Sequence, residues 1–332
     1  MLPLFMCGLL AVGSVFSQDK IDYSGMTTRV QIDNQVKWWP PPIIGGGIIG
    51  GIGGITQTDP DSSEHGVGPG PRSTNCLCGG RNKGAGRIIG GKVYGPNEYP
   101  FIAGVAHGHT PNRPHCGSAI ISPWHILTAA HCTAGAKSLV VILGEYDRSG
   151  RSSKVETKKV KRIIDHERYH PQLLRHDISL LFLEEPIKQN AIIGLVCLPT
   201  GPTNIINHLV KILGWGAMRF QGPMTTLPQK VNVRVVDMQT CNRAWPYHVL
   251  VSPATQVCTH SIRKTACQGD SGGPVVWLDP ETNRFTLVGL VSFGPNCEDD
   301  KPSIQTSVAA YLPWIKAKIQ ETTPGQMTCN KV

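Results

Sequence analysis

The sequence predicts an all-β fold, an antiparallel sandwich or barrel, for the part of the chain that begins at Ile88. Glycine (37) and proline (26) are plentiful and aromatic residues make up only 6% of the 332 residues, a composition typical of turns and strands rather than long helices. Val231, Val233 and Val235 alternate with polar residues, the period of a half-buried strand. Turns separate further short apolar runs, at 138–143, 178–183, 209–213, 275–278 and 285–291.

The first 17 residues have the features of a secretory signal peptide. Residues 2–16 are apolar without a charge, and small Ser17 precedes polar Gln18. The stretch is too short to span a bilayer, and the later apolar tract at 43–55 is mostly glycine. We therefore expect a secreted, extracellular protein with no membrane segment.

Residues 18–87 differ from the rest of the chain in composition and in hydrophobic pattern. Their Ile/Gly tract near 43–51 is of low complexity, and no hydrophobic period runs long enough to build a core. We interpret residues 18–87 as an extended pro-segment. The alternative is a folded recognition module, which is disfavoured because its two cysteines, Cys76 and Cys78, both lie near its end.

One good helix is predicted, at the end of the chain. Its apolar face has helical spacing and consists of Val308, Tyr311, Leu312, Ile315 and Ile319.

The cysteine count indicates disulfides. Of eleven cysteines, removal of Cys7 with the signal leaves an even number, which suits an oxidising compartment. No spacing fits a zinc site, and we expect no metal and no cofactor. The net charge of +9 raises the question of nucleic acid, but the chain has no recognition module for it.

Three separated motifs carry residues for nucleophilic catalysis. His131 lies in Thr-Ala-Ala-His-Cys, Asp177 opens an apolar run, and Ser271 lies in Gly-Asp-Ser-Gly-Gly-Pro. A serine hydroxyl is a poor nucleophile at neutral pH and needs a general base within hydrogen-bond reach. In this order and spacing the motifs resemble the trypsin/chymotrypsin family of serine proteases, over about residues 88–320.

The resemblance implies a peptidase domain over 88–332, built from two antiparallel six-stranded β-barrels with a C-terminal helix. It implies that His131 is the general base, that Asp177 orients it, and that Ser271 is the nucleophile. The N–H groups of Gly269 and Ser271 would form the oxyanion hole.

The sequence Arg-Ile-Ile-Gly-Gly at Arg87 is similar to the activation junction of that family. Cleavage after Arg87 would free the amine of Ile88, which would then pair with Asp270. A second Ile-Ile-Gly-Gly occurs near residue 43, but only the copy at Ile88 follows a basic residue. The resemblance therefore implies a zymogen.

The resemblance also implies disulfides. Three lie within the domain, namely Cys116–Cys132, Cys241–Cys258 and Cys267–Cys297. Cys197 would bind a pro-segment cysteine, either Cys76 or Cys78, and the other would bind Cys329. The pro-segment would then stay attached after cleavage.

The primary substrate pocket of the family corresponds here to Thr265 at its base, with Ser292, Gly294 and Ser303 along its wall. Trypsin-like members carry Asp at the position of Thr265. Without that carboxylate, a buried substrate Arg or Lys would be left unpaired, so we expect cleavage after apolar residues. Trypsin-like specificity is the alternative if Asp299 or Asp300 points inward.

The stretch 148–168 is basic, with eight Lys or Arg against three acids. Its charge argues against calcium, and it is interpreted as a solvated loop, with an exosite for an acidic partner as the alternative. The expected partners are protein or peptide substrates, a trypsin-like activating protease and protein inhibitors. We expect a monomer.

The predicted function is that of a secreted serine endopeptidase made as a zymogen. The alternative is an inactive homologue acting as a cofactor or binding module, but such homologues have usually lost one of the three catalytic residues. Cys-Leu-Cys-Gly at 76–79 is similar to secreted arthropod proteases, including hymenopteran venom enzymes. Venom, digestive and immune-cascade roles remain alternatives.

Overall fold

A computed structural model describes residues 61–82, 92–152, 154–262, 264–297 and 299–332. In this part of the chain the strands pair antiparallel and close into two barrels of six strands each. The predicted all-β fold with two barrels is thus confirmed. A two-residue strand, β1 (Lys92–Val93), precedes both barrels.

The first barrel comes directly after β1. Its strands are β2 (Ile102–His107), β3 (Cys116–Ser122), β4 (His125–Thr128), β5 (Leu139–Leu143), β6 (Glu156–Asp165) and β7 (Ser179–Leu183). They pair in the order β2-β3-β4-β7-β6-β5, and β5 returns to β2. Val105, Ile120 and Leu181 are fully buried inside it, so the apolar residues of short strands fill the barrel.

The second barrel comes later in the chain. Its strands are β8 (Leu209–Gly214), β9 (Gln229–Val236), β10 (Gln256–His260), β11 (Pro274–Asp279), β12 (Arg284–Phe293) and β13 (Ser303–Ser307). They pair in the order β8-β9-β10-β13-β12-β11, and β11 pairs with β8. Strand β1 extends the sheet beyond the barrel by pairing with β9, with Lys92 opposite Lys230.

The alternation predicted from the sequence is present in β9. Val233 and Val235 are buried, whereas Arg234 between them is partly exposed. The apolar runs at 138–143, 178–183 and 209–213 coincide with β5, β7 and β8 to within one residue.

The two barrels pack against each other through a shared apolar cluster. It includes Phe101 and Leu180 from the first barrel side and Leu213 and Leu290 from the second. Hydrogen bonds cross this junction, and one joins Oγ1 of Thr306 to the carbonyl of Asp177 at 2.7 Å. The candidate active site lies at this junction.

Two α-helices are described, α1 (Met238–Ala244) and α2 (Leu312–Thr322). Helix α2 is the predicted one, and the five apolar residues predicted for its face, including Ile315 and Ile319, are buried. The sequence analysis missed α1, because seven residues are too few for a hydrophobic period. Its signal was the cap: the Asp237 carboxylate accepts the N–H of Thr240 at 2.9 Å. Neither of these helices has the length and apolar character needed to cross a bilayer.

Residues 61–82, called the strap here, pack on the two-barrel domain although they contain no helix or extended strand. Gly79 donates its N–H to Leu195 and accepts that of Phe285, at 2.7 and 2.9 Å. The strap also pairs Asp61 with Lys211, at 2.9 Å. The prediction treated these residues as part of an extended segment with no core of its own, held to the domain by disulfides. The structure adds that residues 61–82 are docked on the domain by hydrogen bonds and an ion pair.

Candidate active site

His131 is held at the end of the first barrel's strand β4. It lies in a single 3₁₀ turn, Ala130–Cys132, and the neighbouring Cys132 is disulfide-bonded to Cys116 at the start of β3. Its Nδ1 lies 2.8 Å from Oδ2 of Asp177, and its backbone N–H donates to Oδ1 at 2.9 Å. The ring therefore has a fixed position and a fixed partner.

Asp177 is the buried acid of this site. It precedes β7, and its side chain is 0% exposed. Besides the two hydrogen bonds from His131, Oδ2 accepts the hydroxyl of Ser292 at 2.6 Å. Ser292 was predicted to line the substrate-binding strand, which stays a prediction, and its side chain also contacts Asp177. Sequence reasoning missed this role because Ser292 is on β12 of the other barrel.

Ser271 lies in the turn that leads into β11. Its carbonyl accepts the N–H of Gly117 at 2.8 Å, next to the Cys116–Cys132 bridge. A Cβ on Gly272 would lie 2.7 Å from the carbonyl of Gly117, so the turn can approach β3 only with glycine there. The turn that carries Ser271 thus packs against the start of β3, which the Cys116–Cys132 disulfide joins to the residue after His131.

The described residues show no hydrogen bond between Oγ of Ser271 and His131. The structure thus brings the two residues to one site but does not link their side chains. Catalytic hydrogen bonds are often long or poorly aligned before substrate binds.

Asp270 is partly buried beside Ser271, the predicted nucleophile. Its carboxylate accepts the N–H groups of Gly216 and Cys267, at 2.8 and 3.0 Å. Burial raises the pKa of Asp270 to about 6, although the two backbone donors act in the opposite direction. No cationic side chain within the described ranges pairs with it. Arg87 and Ile88, the predicted activation residues, lie outside the described residues.

A cavity of about 200 Å³ borders Asp270. Gly214, Gly216, Gln229 and Lys230 are among its lining residues. The Lys230 ammonium points to Glu98, with Nζ 2.7 Å from Oε1. The cavity thus contains a buried acid, and its nearby lysine is already paired.

Two of the residues predicted for the primary substrate pocket contact each other through their hydroxyl groups. Oγ1 of Thr265 and Oγ of Ser303 are hydrogen-bonded to each other. A Cβ on Gly294 would lie 3.2 Å from Cβ of Ser303, so the wall is close at this point. The two hydroxyl groups are uncharged, but Thr265 also lines the cavity that Asp270 borders.

The two acids that could have supplied a charge lie on the surface. Asp299 is exposed and the Asp300 side chain is 62% exposed. The Asp300 carbonyl contacts Nε2 of His260 at 2.8 Å. Trp245 supports the neighbouring loop, since its Nε1 donates to the carbonyl of Pro302 at 2.9 Å. Both acids are thus on the surface, and Oδ1 of Asp300 lies 3.9 Å from Nε2 of His260.

The ten cysteines among the described residues form five disulfides. The bridges are Cys76–Cys329, Cys78–Cys197, Cys116–Cys132, Cys241–Cys258 and Cys267–Cys297. The alternative left open by the sequence is resolved here, with Cys78 on Cys197 and Cys76 on Cys329. Cys116, His131 and Cys132 are the one grouping of metal-ligand atoms found among the described residues, but its sulfurs are joined and provide no thiolate for a metal.

The basic stretch 148–168 covers strand β6 and its preceding loop. Part of its charge is paired, with Lys158 on Glu185 and Arg162 on Glu321. Lys159 and Lys161 are exposed. The face is therefore a partly neutralised, solvated surface.

Comparison with known proteins gives a consistent assignment. Residues 88–315 match the family model described as Trypsin. A venom serine protease of Polistes dominula is 35% identical over 262 residues, covering 76% of this chain and 91% of the relative. Venom serine protease 34 of Apis mellifera is 34% identical over 270 residues, covering 77% and 63%. The clotting factor G beta subunit of Tachypleus tridentatus is 32% identical over 257 residues, covering 72% and 81%.

Proposed function

Because the chain belongs to the trypsin family of serine proteases, we propose that it is a secreted endopeptidase made as a zymogen. It hydrolyses peptide bonds through an acyl-enzyme formed on Ser271. The observation that carries this proposal is the buried Asp177 carboxylate, which accepts two hydrogen bonds from His131 and one from Ser292. A buried charge with that set of partners suits an acid that orients a catalytic base.

In the proposed reaction, His131 takes the proton of Ser271 as Oγ attacks the substrate carbonyl. Because Nδ1 faces the Asp177 carboxylate, the neutral ring carries its proton on Nδ1 and presents the lone pair of Nε2. The imidazolium then returns a proton to the leaving amine, and the peptide bond breaks. Water attacks the ester in the second half and regenerates Ser271.

The N–H groups of Gly269 and Ser271 would stabilise the oxyanion. Gly269 has φ of +95°, a conformation that side-chain-bearing residues rarely adopt. Such a donor matters because charge develops on the substrate oxygen only in the transition state. Loss of one donor typically raises the barrier by about 3–4 kcal/mol.

Activation would follow cleavage after Arg87. The new amine of Ile88 would enter the cavity beside Asp270 and form an ion pair there. This proposal is supported by the enclosed carboxylate, whose raised pKa reflects a buried acid with only backbone donors. A partner with a positive charge would stabilise the carboxylate and fix the turn that carries Gly269 and Ser271.

The pocket supports cleavage after apolar residues such as Leu, Met or Phe. Thr265 and Ser303, predicted at its base, share one hydrogen bond between their hydroxyl groups, and the exposed Asp300 lies beside His260. A substrate Arg or Lys would bury its charge without a carboxylate, at a cost of several kcal/mol. The activating enzyme, in contrast, must accept Arg87 and is therefore a separate, trypsin-like protease.

We place this activity outside the cell, in line with relatives named as venom serine proteases. The substrates are proteins or peptides, and protein inhibitors are further candidate partners.

The decisive experiment is labelling by a fluorophosphonate probe. The proform cut by trypsin should be labelled, while the uncut proform and a cut Ser271→Ala variant should not. Gel filtration and a thermal melt of the variant provide the control for folding. Absence of labelling in the cut, folded wild-type protein would reject the enzyme and favour the inactive homologue.

A further inference from the structure

Arg148 is a half-buried cation that bridges two walls of the active-site cleft. Its backbone N–H donates to Thr226 at 2.9 Å. In its guanidinium, Nη2 donates to the carbonyl of Pro114 at 3.1 Å and Nη1 lies 3.5 Å from Sδ of Met224. These contacts fix the guanidinium between the first barrel and the 217–224 loop.

Both contacts lead directly to the reacting centre. Sδ of Met224 lies 3.1 Å from the point where a Cβ on Gly269 would be, so only one side chain separates Arg148 from an oxyanion donor. Pro114 precedes the strand in which Gly117 binds the Ser271 carbonyl. None of these contacts involves Thr265 or Ser303. We infer that Arg148 lies on the other side of Gly269 from Thr265 and Ser303, where the residues after the scissile bond would bind.

The guanidinium of Arg148 forms no ion pair with any of the described residues. Burial lowers its pKa, and the charge of Glu145 opposes this only partly. The neighbouring Asp147 is occupied by Ser149 and Arg151. In the described parts of the chain no carboxylate pairs with the guanidinium. A guanidinium has five N–H donors, and a carbonyl and a thioether use two of them, so donors remain for a carboxylate.

We propose that Arg148 gives this protease a preference for an acidic residue two or three positions after the scissile bond. Two contacts separate Arg148 from Gly269: Nη1 lies 3.5 Å from Sδ of Met224, which lies 3.1 Å from the Cβ position of Gly269. An extended substrate advances about 3.3 Å per residue, so two or three residues would cover that separation. The proposal rests on the proposed endopeptidase function and names a second feature of its substrates. An Asp or Glu there would meet a positioned cation that is already partly desolvated.

The test uses internally quenched peptides that share an apolar residue before the scissile bond. Matched pairs carry Glu or Gln at the second or at the third position after it. The wild type should cleave one Glu peptide about tenfold faster, in kcat/KM, than its Gln partner, as expected for one charge-assisted hydrogen bond. Arg148→Gln should remove this preference, and Arg148→Lys should keep part of it. The exposed Lys316, on α2, supplies a control of equal charge change, and Lys316→Gln should leave the preference intact.

A second substrate separates specificity from structure. An anilide with the same apolar residue and nothing after the scissile bond should be hydrolysed equally by wild type and Arg148→Gln. Equal loss on the anilide and on all peptides would show that Arg148 merely supports Met224, and would overturn the proposal. Equal cleavage of Glu and Gln peptides by an enzyme that labels with fluorophosphonate would overturn it while leaving the proposed function intact. Failure of labelling and of all cleavage would reject both.

Discussion

The raised pKa of Asp270 predicts that activation changes how the stability of the protein depends on pH. The ordinary pKa of this carboxyl is 3.8, and in the fold it is about 6. Folding therefore favours the protonated acid. Its contribution to stability is fully present below pH 3.8 and is lost as the pH rises through 6. The difference between these two pKa values means that about 3 kcal/mol of stability has been lost by pH 7, since one pKa unit is 1.36 kcal/mol.

Cleavage should reverse this loss. In the cut protein the Ile88 amine stabilises the carboxylate of Asp270, so its pKa falls back and no penalty remains at pH 7. Thermal melts of cut and uncut protein, both in a Ser271→Ala background to prevent digestion, measure the difference. The melting temperature of the cut form relative to the uncut form should rise by about 6–12 °C between pH 4 and pH 7, because 1 kcal/mol corresponds to about 2–4 °C in a domain of this size.

The control is Asp270→Asn, which has no carboxylate to titrate. In that variant the difference between cut and uncut forms should not change over the same pH range. Parallel pH profiles for the two forms of the Ser271→Ala protein would refute the argument, because they would mean that cleavage brings no cation to Asp270.

Three further outcomes are expected. After activation a non-reducing gel should show one band and a reducing gel two. The Cys197→Ser variant should still give one band on the non-reducing gel, because the second bridge of the strap, to Cys329, remains. Two bands from this variant without reductant would contradict the pairing. Purified proform seeded with active enzyme should stay uncut at Arg87 on long incubation, while trypsin cuts it quickly. Self-conversion together with cleavage of arginyl substrates would reject the predicted preference for apolar residues. Ser292→Ala should slow fluorophosphonate labelling about 10- to 100-fold, because the Asp177 carboxylate loses one of three donors, worth about 1.5–3 kcal/mol; an unchanged rate would show that the hydroxyl is dispensable.

Local motifs made much of the fold and site predictable. His131, Asp177 and Ser271 each lie in a short motif, and their order along the chain carried the family resemblance. Strands such as β9 were visible because alternation with period two is a property of consecutive residues.

What the sequence could not supply depends on contacts between distant residues. Docking of the strap relies on Asp61, whose partner Lys211 is 150 positions away. The choice between Cys76 and Cys78 depends on which sulfur faces Cys197 once the strap is docked. The hydroxyl of Ser292 reaches Asp177 from the other barrel, 115 positions along the chain. Neither composition nor periodicity contains this information.

Strand β1 gives the proposed activation a kinetic advantage. It is only two residues long, yet it holds Lys92 opposite Lys230, and Lys230 lines the cavity beside Asp270. Ile88 lies four positions before Lys92, so a freed amine can move at most about 14 Å from that anchor. The amine would thus search a volume of molecular size, equivalent to an effective concentration of at least the millimolar range. Because residues 88–91 are attached to the paired strand β1, the binding of the amine beside Asp270 would be a local step whose rate does not depend on protein concentration.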